Sequence, residues 1–443
     1  MKKKCVFFLL LITIMPVFAQ EGFVFEKDIE KVTVPIVLIN NLVFIPIKVN
    51  GVELNFLLDT GVEETILFSL EDNPDVNFFN SEKITLKGLG SEDAIEGLKT
   101  TNNILELDGI KATRQLIYVI LDQSFNLSSQ IGIPVNGIIG YDFFRKNLIR
   151  IDYASKRVIV YKDNEANRKK IEKKFDKTTI TIDRFKPYLF GIADIDKIKI
   201  PVKMLIDTGN SDSVWLFQNL SDQVKVPSKN FEDFLGKGFS GDIEGRRAKV
   251  TSFSFGNYTF KSPIVAFPDS SSIKSVRMVK DRAGSVGGEI LKRFSAVFDY
   301  KNELLYLKKN SDFYQPFSYN KSGIEIKHNG IQWVKETVRM ETVPLSGSIT
   351  FNSEGKNVTN DFKYKFELKP IYEIANIRKN SPAAKSGLQT GDVIITINKS
   401  PVYQYSLQKL NELFKSEDNK VFYLEIERNG KAFKFSFQLI DDL

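Results

Sequence analysis

Two aspartates stand in matching surroundings, Asp59 in Asp59-Thr60-Gly61 and Asp207 in Asp207-Thr208-Gly209. Each ends an apolar run, Asn55-Phe56-Leu57-Leu58 or Val202-Lys203-Met204-Leu205-Ile206, and each precedes another, Ile66-Leu67-Phe68 or Val214-Trp215-Leu216-Phe217. Two carboxylates brought together can share one proton. Their repulsion separates their apparent pKa values, leaving one charged and one neutral over a usable pH range. The charged member can then take a proton from water while the neutral one protonates the substrate. That chemistry suffices to hydrolyse a peptide bond without a metal or a covalent nucleophile. Which aspartate carries the charge is not written in the sequence. Gly61 and Gly209 permit backbone conformations and a close approach that a Cβ would obstruct.

Competing chemistries lack residues. The 443-residue chain has one cysteine, Cys5, and one histidine, His328. Disulfides, thiolate metal sites and a Ser-His-Asp relay in the first 300 residues are thereby excluded, and a Ser-Lys pair is the remaining rival to the carboxylates. Cys5 itself falls in an expected export signal at 1–19. Lys2, Lys3 and Lys4 precede a nearly all-apolar run from Val6 to Val17, and Val17-Phe18-Ala19 has the small-x-Ala form of a cleavage site. The mature chain is expected to begin at Gln20 and to be soluble in the periplasm or outside the cell, since no later run approaches the roughly 18 apolar residues that span a bilayer. A hydrophobic content of 42% suits packed globular structure, and the net charge of +7 falls to +4 without Lys2 to Lys4. Nucleic-acid binding gains no support from it, and no cofactor or metal is expected.

The elements that must position the aspartates occur twice. Residues 34–161 and 187–307 repeat one order: an apolar strand pair, Asp-Thr-Gly, a Gly-rich hairpin, alternating strands, and a Gly that closes a short strand and opens a short helix. The hairpins carry Gly88-Leu89-Gly90-Ser91 and Gly236-Lys237-Gly238-Phe239-Ser240-Gly241. The closing elements are Gly137-Ile138-Ile139-Gly140 and Gly284-Ser285-Val286-Gly287. Equivalent points keep their distance, 148 residues between the aspartates, 147 between Gly140 and Gly287, and 147 between Asp152 and Asp299. Residues 162–178 are charged, poor in apolar side chains, and read as the connection between the copies.

On these motifs, residues 34–309 resemble the aspartic peptidases of the pepsin and retropepsin class, specifically the bacterial retropepsin-like type. The resemblance implies a two-lobed, mainly β fold of β-barrel type from internal duplication. It makes Asp59 and Asp207 the catalytic dyad, with Thr60 and Thr208 hydrogen-bonding across the lobe interface. One chain then supplies both halves of the site and need not dimerise. Three departures stand out. Ser285 occupies a place where an apolar residue is expected, which alters the packing beneath the second loop. Position four of the loops is Val62 in one and Asn210 in the other, and only Asn210 offers its aspartate a hydrogen bond. The hairpin glycines Gly88, Gly90, Gly238 and Gly241 mark candidate flaps over the cleft, because Gly supplies turns and mobility in a lid; neither hairpin has the Tyr of pepsin-like flaps.

Residues 374–440 resemble a bacterial PDZ domain, most clearly over Ser381-Pro382-Ala383-Ala384-Lys385-Ser386-Gly387-Leu388-Gln389-Thr390-Gly391-Asp392-Val393-Ile394. Ser381-Pro382 suits a helix start, Gly387 its end, Gly391-Asp392 a tight turn and Val393 to Ile397 a buried strand. Leu407 to Phe414 has helical spacing, and strands follow at 421–426 and 433–439. The resemblance implies recognition of a C-terminal peptide by strand addition, for which Gly323 and Ile324 stand nearest to a carboxylate loop. A β insertion would separate that loop from Ile374, with His328 and Trp333 near its start serving packing. The expected units are 1–19, 20–163, 164–310 and 311–443. Their expected partners are a peptide or protein substrate and a peptide ligand of the PDZ-like unit. The alternative is an inactive protein that keeps the fold and binds peptides.

Overall fold

The computed structural model describes residues 22–68, 70, 76–87, 94–122, 126–218, 223–238, 241–273, 278–339 and 362–443. The export signal expected at 1–19 and the candidate-flap glycines Gly88 and Gly90 lie outside them. No helix among the described residues is long and apolar enough to cross a membrane.

The chain is mainly β. In the first half, Leu42–Val49 and Val52–Leu58 form an antiparallel hairpin whose second strand runs into Asp59. Val52–Leu58 pairs in parallel with Gly137–Ile139, which pairs antiparallel with Thr65–Leu67, which in turn runs parallel to Ile110–Ile120. The second half repeats every one of these pairings. Lys186–Ile195 and Ile198–Ile206 form the hairpin, Ile198–Ile206 runs parallel to Arg282–Val286, that strand pairs antiparallel with Val214–Leu216, and Val214–Leu216 runs parallel to Ile264–Pro268. Parallel neighbours require long connections, and in each half such a connection carries a hairpin that is itself paired into the sheet. These are Glu82–Lys87 with Ala94–Leu107, and Asn230–Gly238 with Gly241–Lys249.

A third sheet joins the halves. Leu148–Asp152 of the first pairs antiparallel with Phe294–Asp299 of the second, and Lys31–Pro35, Arg157–Tyr161, Leu304–Lys309 and Asp176–Thr179 complete six strands. One apolar core therefore runs through both halves, from Phe23 to Phe313. The charged connection is more ordered than its composition predicts. Asn164 caps helix Glu165–Glu172 by accepting the Asn167 N–H, Ile171 is buried beneath it, and Arg168 reaches Asp299 at 2.9 Å.

The C-terminal unit has its own core, around Ile324, Ile374, Ile394, Leu410, Phe422 and Leu439. Ser381 accepts the Ala384 N–H, Pro382 opens helix Pro382–Ser386, and Gly387 ends it at φ +96°. Helix Leu407–Phe414 buries Leu407, Leu410 and Phe414, and strands Val421–Arg428 and Lys431–Gln438 follow. The expected insertion is the outer part of one long ribbon, Ile324–Arg339 against Phe362–Ile377; its tip, with Ser348 to Phe351, lies outside the described residues. Along it Trp333 is 70% exposed and packs into no core, whereas His328 is half-buried against Tyr372. The strand Val393–Ile397 is only partly buried, since Ile395 faces out.

Candidate active site

Asp59 and Asp207 leave the ends of equivalent strands and meet between the two halves. Each backbone N–H is fixed in the same way, Asp59 to the Ile139 carbonyl and Asp207 to the Val286 carbonyl, both at 2.9 Å. Each aspartate then receives the N–H of its own loop glycine, Gly61 on Asp59 Oδ1 at 2.7 Å and Gly209 on Asp207 Oδ1 at 3.1 Å. The two carboxyl groups hydrogen-bond to one another. The loop glycines make this approach possible, because a Cβ on Gly209 would lie 2.2 Å from Asp59 Oδ2 and one on Gly61 3.1 Å from Asp207 Oδ1. Gly140 and Gly287 hold the loops from below, where a Cβ would meet the Val62 carbonyl at 1.9 Å or the Asp212 carbonyl at 2.4 Å.

Two threonines lock the loops together. The Thr60 N–H donates to Thr208 Oγ1 and the Thr208 N–H to Thr60 Oγ1, both at 3.0 Å. The hydroxyls donate onward across the interface, Thr60 to the Ile206 carbonyl at 2.6 Å and Thr208 to the Leu58 carbonyl at 2.7 Å. Both residues are buried, so each exchange is made without competing water.

Protein surrounds the aspartates except toward the cleft, and the lost hydration raises both carboxyls above the ordinary range. Asp59 is pushed up to about 7, first by burial and then by the neighbouring Asp207 charge. At Asp207 burial is opposed by the Arg282 and Lys186 charges and by the hydrogen bonds from Gly209 and Asp59. The two carboxyls titrate as one coupled pair, made unequal by the Arg282 charge at Asp207. Arg282 was not singled out by the Asp-Thr-Gly motif. It sits buried in Arg282–Val286, a strand otherwise without charge, and donates to Ser285 Oγ at 2.8 Å and the Gly284 carbonyl at 3.1 Å. Ser285, the departure from the apolar pattern, is thus the receptor of this guanidinium. A charge in a strand of that kind, three residues before an unexpected Ser, is the signal by which sequence could have found it.

Asn210 does not face its aspartate. Its Oδ1 accepts the Asp212 N–H at 2.9 Å, which turns the amide away along the loop, so the hydrogen bond to Asp207 anticipated from its position is not made among the described residues. Asp212 in turn receives Trp215 Nε1 and Arg247, both at 2.7 Å.

The dyad lines a cavity of about 470 Å³. Its walls come from the first half (Leu42, Phe44, Ile131), the second half and the C-terminal unit. Leu235, Gly236, Lys237, Gly238 and Ile243 of the second hairpin lie over it, with a bulge at Leu235 and left-handed backbone at Gly241, φ +110°. Gly323, φ +79°, begins the edge strand of the C-terminal unit, but Ile324 is buried in that unit's core rather than presented to a groove. The loop amides are engaged, Ser322 and Gly323 N–H with Asn320 Oδ1 at 3.1 Å each and Ile324 N–H with Ser322 Oγ at 3.0 Å.

The C-terminal unit is docked on the rest. Arg378 stacks its guanidinium 4.1 Å from the Phe231 ring centroid, Lys249 donates to the Leu443 carbonyl at 2.8 Å, and Gly132 of the first half packs against Leu407 and His328. No curated protein matches the chain. Residues 373–428 match the PDZ domain family, and this segment of the chain is a PDZ domain.

Proposed function

We propose that the chain is an aspartic endopeptidase of the two-lobed pepsin and retropepsin type that hydrolyses peptide bonds without a metal, with the PDZ domain recruiting chains or regulating access. The observation that carries this reading is the contact of the Asp59 and Asp207 carboxyls on the wall of the cavity, in loops locked by the Thr60–Thr208 exchange. A water held between the carboxyls gives a proton to ionised Asp207 as its oxygen attacks the peptide carbonyl carbon. Asp59 gives its proton to the carbonyl oxygen, and a neutral tetrahedral diol results. Collapse of the diol breaks the C–N bond, the nitrogen takes the proton held by Asp207, and Asp59 recovers one from a diol hydroxyl. The dyad ends as it began, which is the economy of two carboxylates sharing one proton.

The second hairpin, over the cavity, suits an extended chain lying between it and the dyad, with Gly238 and Gly241 at its bend. In this reading the protein is exported, acts in the periplasm or outside the cell, and is complete for catalysis as a single chain. The test is digestion of a diverse peptide library between pH 4 and 8 by the full chain, with Asp59→Asn and Asp207→Asn as controls. Each substitution is expected to lower turnover by at least about a thousandfold. Cleavage that survives either one removes the dyad, and peptide binding without cleavage at any pH leaves a non-catalytic peptide-binding protein.

A further inference from the structure

The cavity that holds the dyad ends at the PDZ domain, where Glu325 and Lys415 enter its wall. Glu325 lies on strand Ile324–Arg339 and Lys415 caps helix Leu407–Phe414. Around them the other charges are consumed. Arg247 is shared by Asp212 and Asp233 at 2.7 and 2.6 Å, and Glu289 is held by Lys292 and Arg293 at 2.6 and 2.9 Å. The Lys415 ammonium and the Glu325 carboxyl make no ion pair or side-chain hydrogen bond among the described residues, and both side chains are partly exposed on the cavity wall. A half-buried ammonium left without a partner, where the neighbouring charges are already paired, gains from an anion that enters the cavity.

We propose that Lys415 and Glu325, on the same cavity wall, form a carboxylate-binding subsite at the PDZ end of the cleft, so that one peptide lies across the dyad and the PDZ domain together. Lys415 pairs with the carboxylate and the Glu325 hydroxyl donates to it. Two features of the PDZ domain direct a peptide here. The loop amides that would ordinarily receive a terminal carboxylate are spent on Asn320 and Ser322, and Gly132 fills the space beside Leu407 and His328, at the other end of the helix. Glu325 suits a donor's role: burial first, then Asp233 and Asp212, push it up to about 7 against Arg247 and Lys415. Lys415, facing Glu289, Asp212, Lys292 and Arg247, is lowered by burial and gains most from a bound anion. The ligand's carboxylate can belong to a chain terminus or to an Asp or Glu side chain.

This subsite rests on the reading of the cleft as a peptide site, and binding tests it independently of cleavage. A pool of octapeptides, randomised over apolar residues and labelled with fluorescein at the N-terminus, is titrated with full-length Asp59→Asn protein at pH 6 by fluorescence polarisation. Three forms are compared: free acid, C-terminal amide, and amide with one internal Glu. The free acid, the Glu-containing amide, or both are expected to bind at least about tenfold more tightly than the plain amide, and which one gains identifies the source of the carboxylate. Lys415→Met should erase the difference, while Glu325→Gln, which keeps a neutral donor, should preserve it up to pH 8. Equal affinity of all three forms overturns the subsite while leaving the peptide cleft in place. A difference that persists in Lys415→Met overturns the assignment to Lys415, and binding of no form overturns both.

Discussion

At the residue scale, the two aspartates are alike in sequence and unlike in surroundings. Burial lifts both and Lys186 opposes it at both, but Arg282 opposes it at Asp207 alone, whereas the Asp207 charge adds to it at Asp59. A carboxyl with a folded-state pKa near 7 and an unfolded value near 3.8 favours the folded state fully below pH 4, and that contribution is lost as pH rises through 7. Asp59→Asn, neutral at every pH, should therefore gain on the parent across this window, by on the order of 3 kcal/mol at pH 8; parallel denaturant titrations at pH 4 and pH 8 measure it, and equal stability at both would refute the raised pKa. Arg282→Gln removes the charge that offsets burial at Asp207. The acid limb of the kcat/KM profile should then move to higher pH, while the alkaline limb near 7 stays.

At the element scale, the site is a property of strand ends. The two loops leave equivalent strand ends and face each other, and the threonine exchange turns that proximity into fixed geometry. Thr208→Val keeps the shape but strands the Thr60 N–H and the Leu58 carbonyl without their partner. It should cost about 2 kcal/mol in unfolding free energy and lower kcat more than it raises KM, with Thr208→Ser restoring both. The pairing pattern was legible because apolar runs, Asp-Thr-Gly and the closing glycines recur at constant spacing. The Arg282–Ser285 bond was not, since Ser285 alone stood out as a departure and nothing in the spacing tied it to Arg282. Asn210 misled for a similar reason: its type permits a bond to Asp207, but a loop backbone offers it the nearer Asp212 N–H.

At the scale of the whole molecule, the six-stranded sheet couples the halves beneath the dyad, and the charged connection is pinned to it. Asp299, buried at 1% exposure, takes Arg168 and the backbone and side chain of Asn302. Asp299→Ala should lower unfolding stability by about 2 kcal/mol without altering the pH limbs of activity, because it loosens the platform and leaves the carboxyl environment intact; thermal melts alongside a pH profile separate the two effects.

The sequence by itself determined the duplication, the two aspartates and glycines that must face each other, the lack of histidine and of any cysteine but Cys5 in the first 300 residues, and the PDZ segment. These are local patterns, written in spacing and residue type. Only the tertiary structure decided how the two carboxyls are made unequal, because that depends on Arg282 brought near Asp207 by strand pairing. It alone placed Glu325 and Lys415 on the wall of the cleft. They lie more than 100 residues from either aspartate in the chain, and no periodicity encodes which faces of two separately cored units come to rest together.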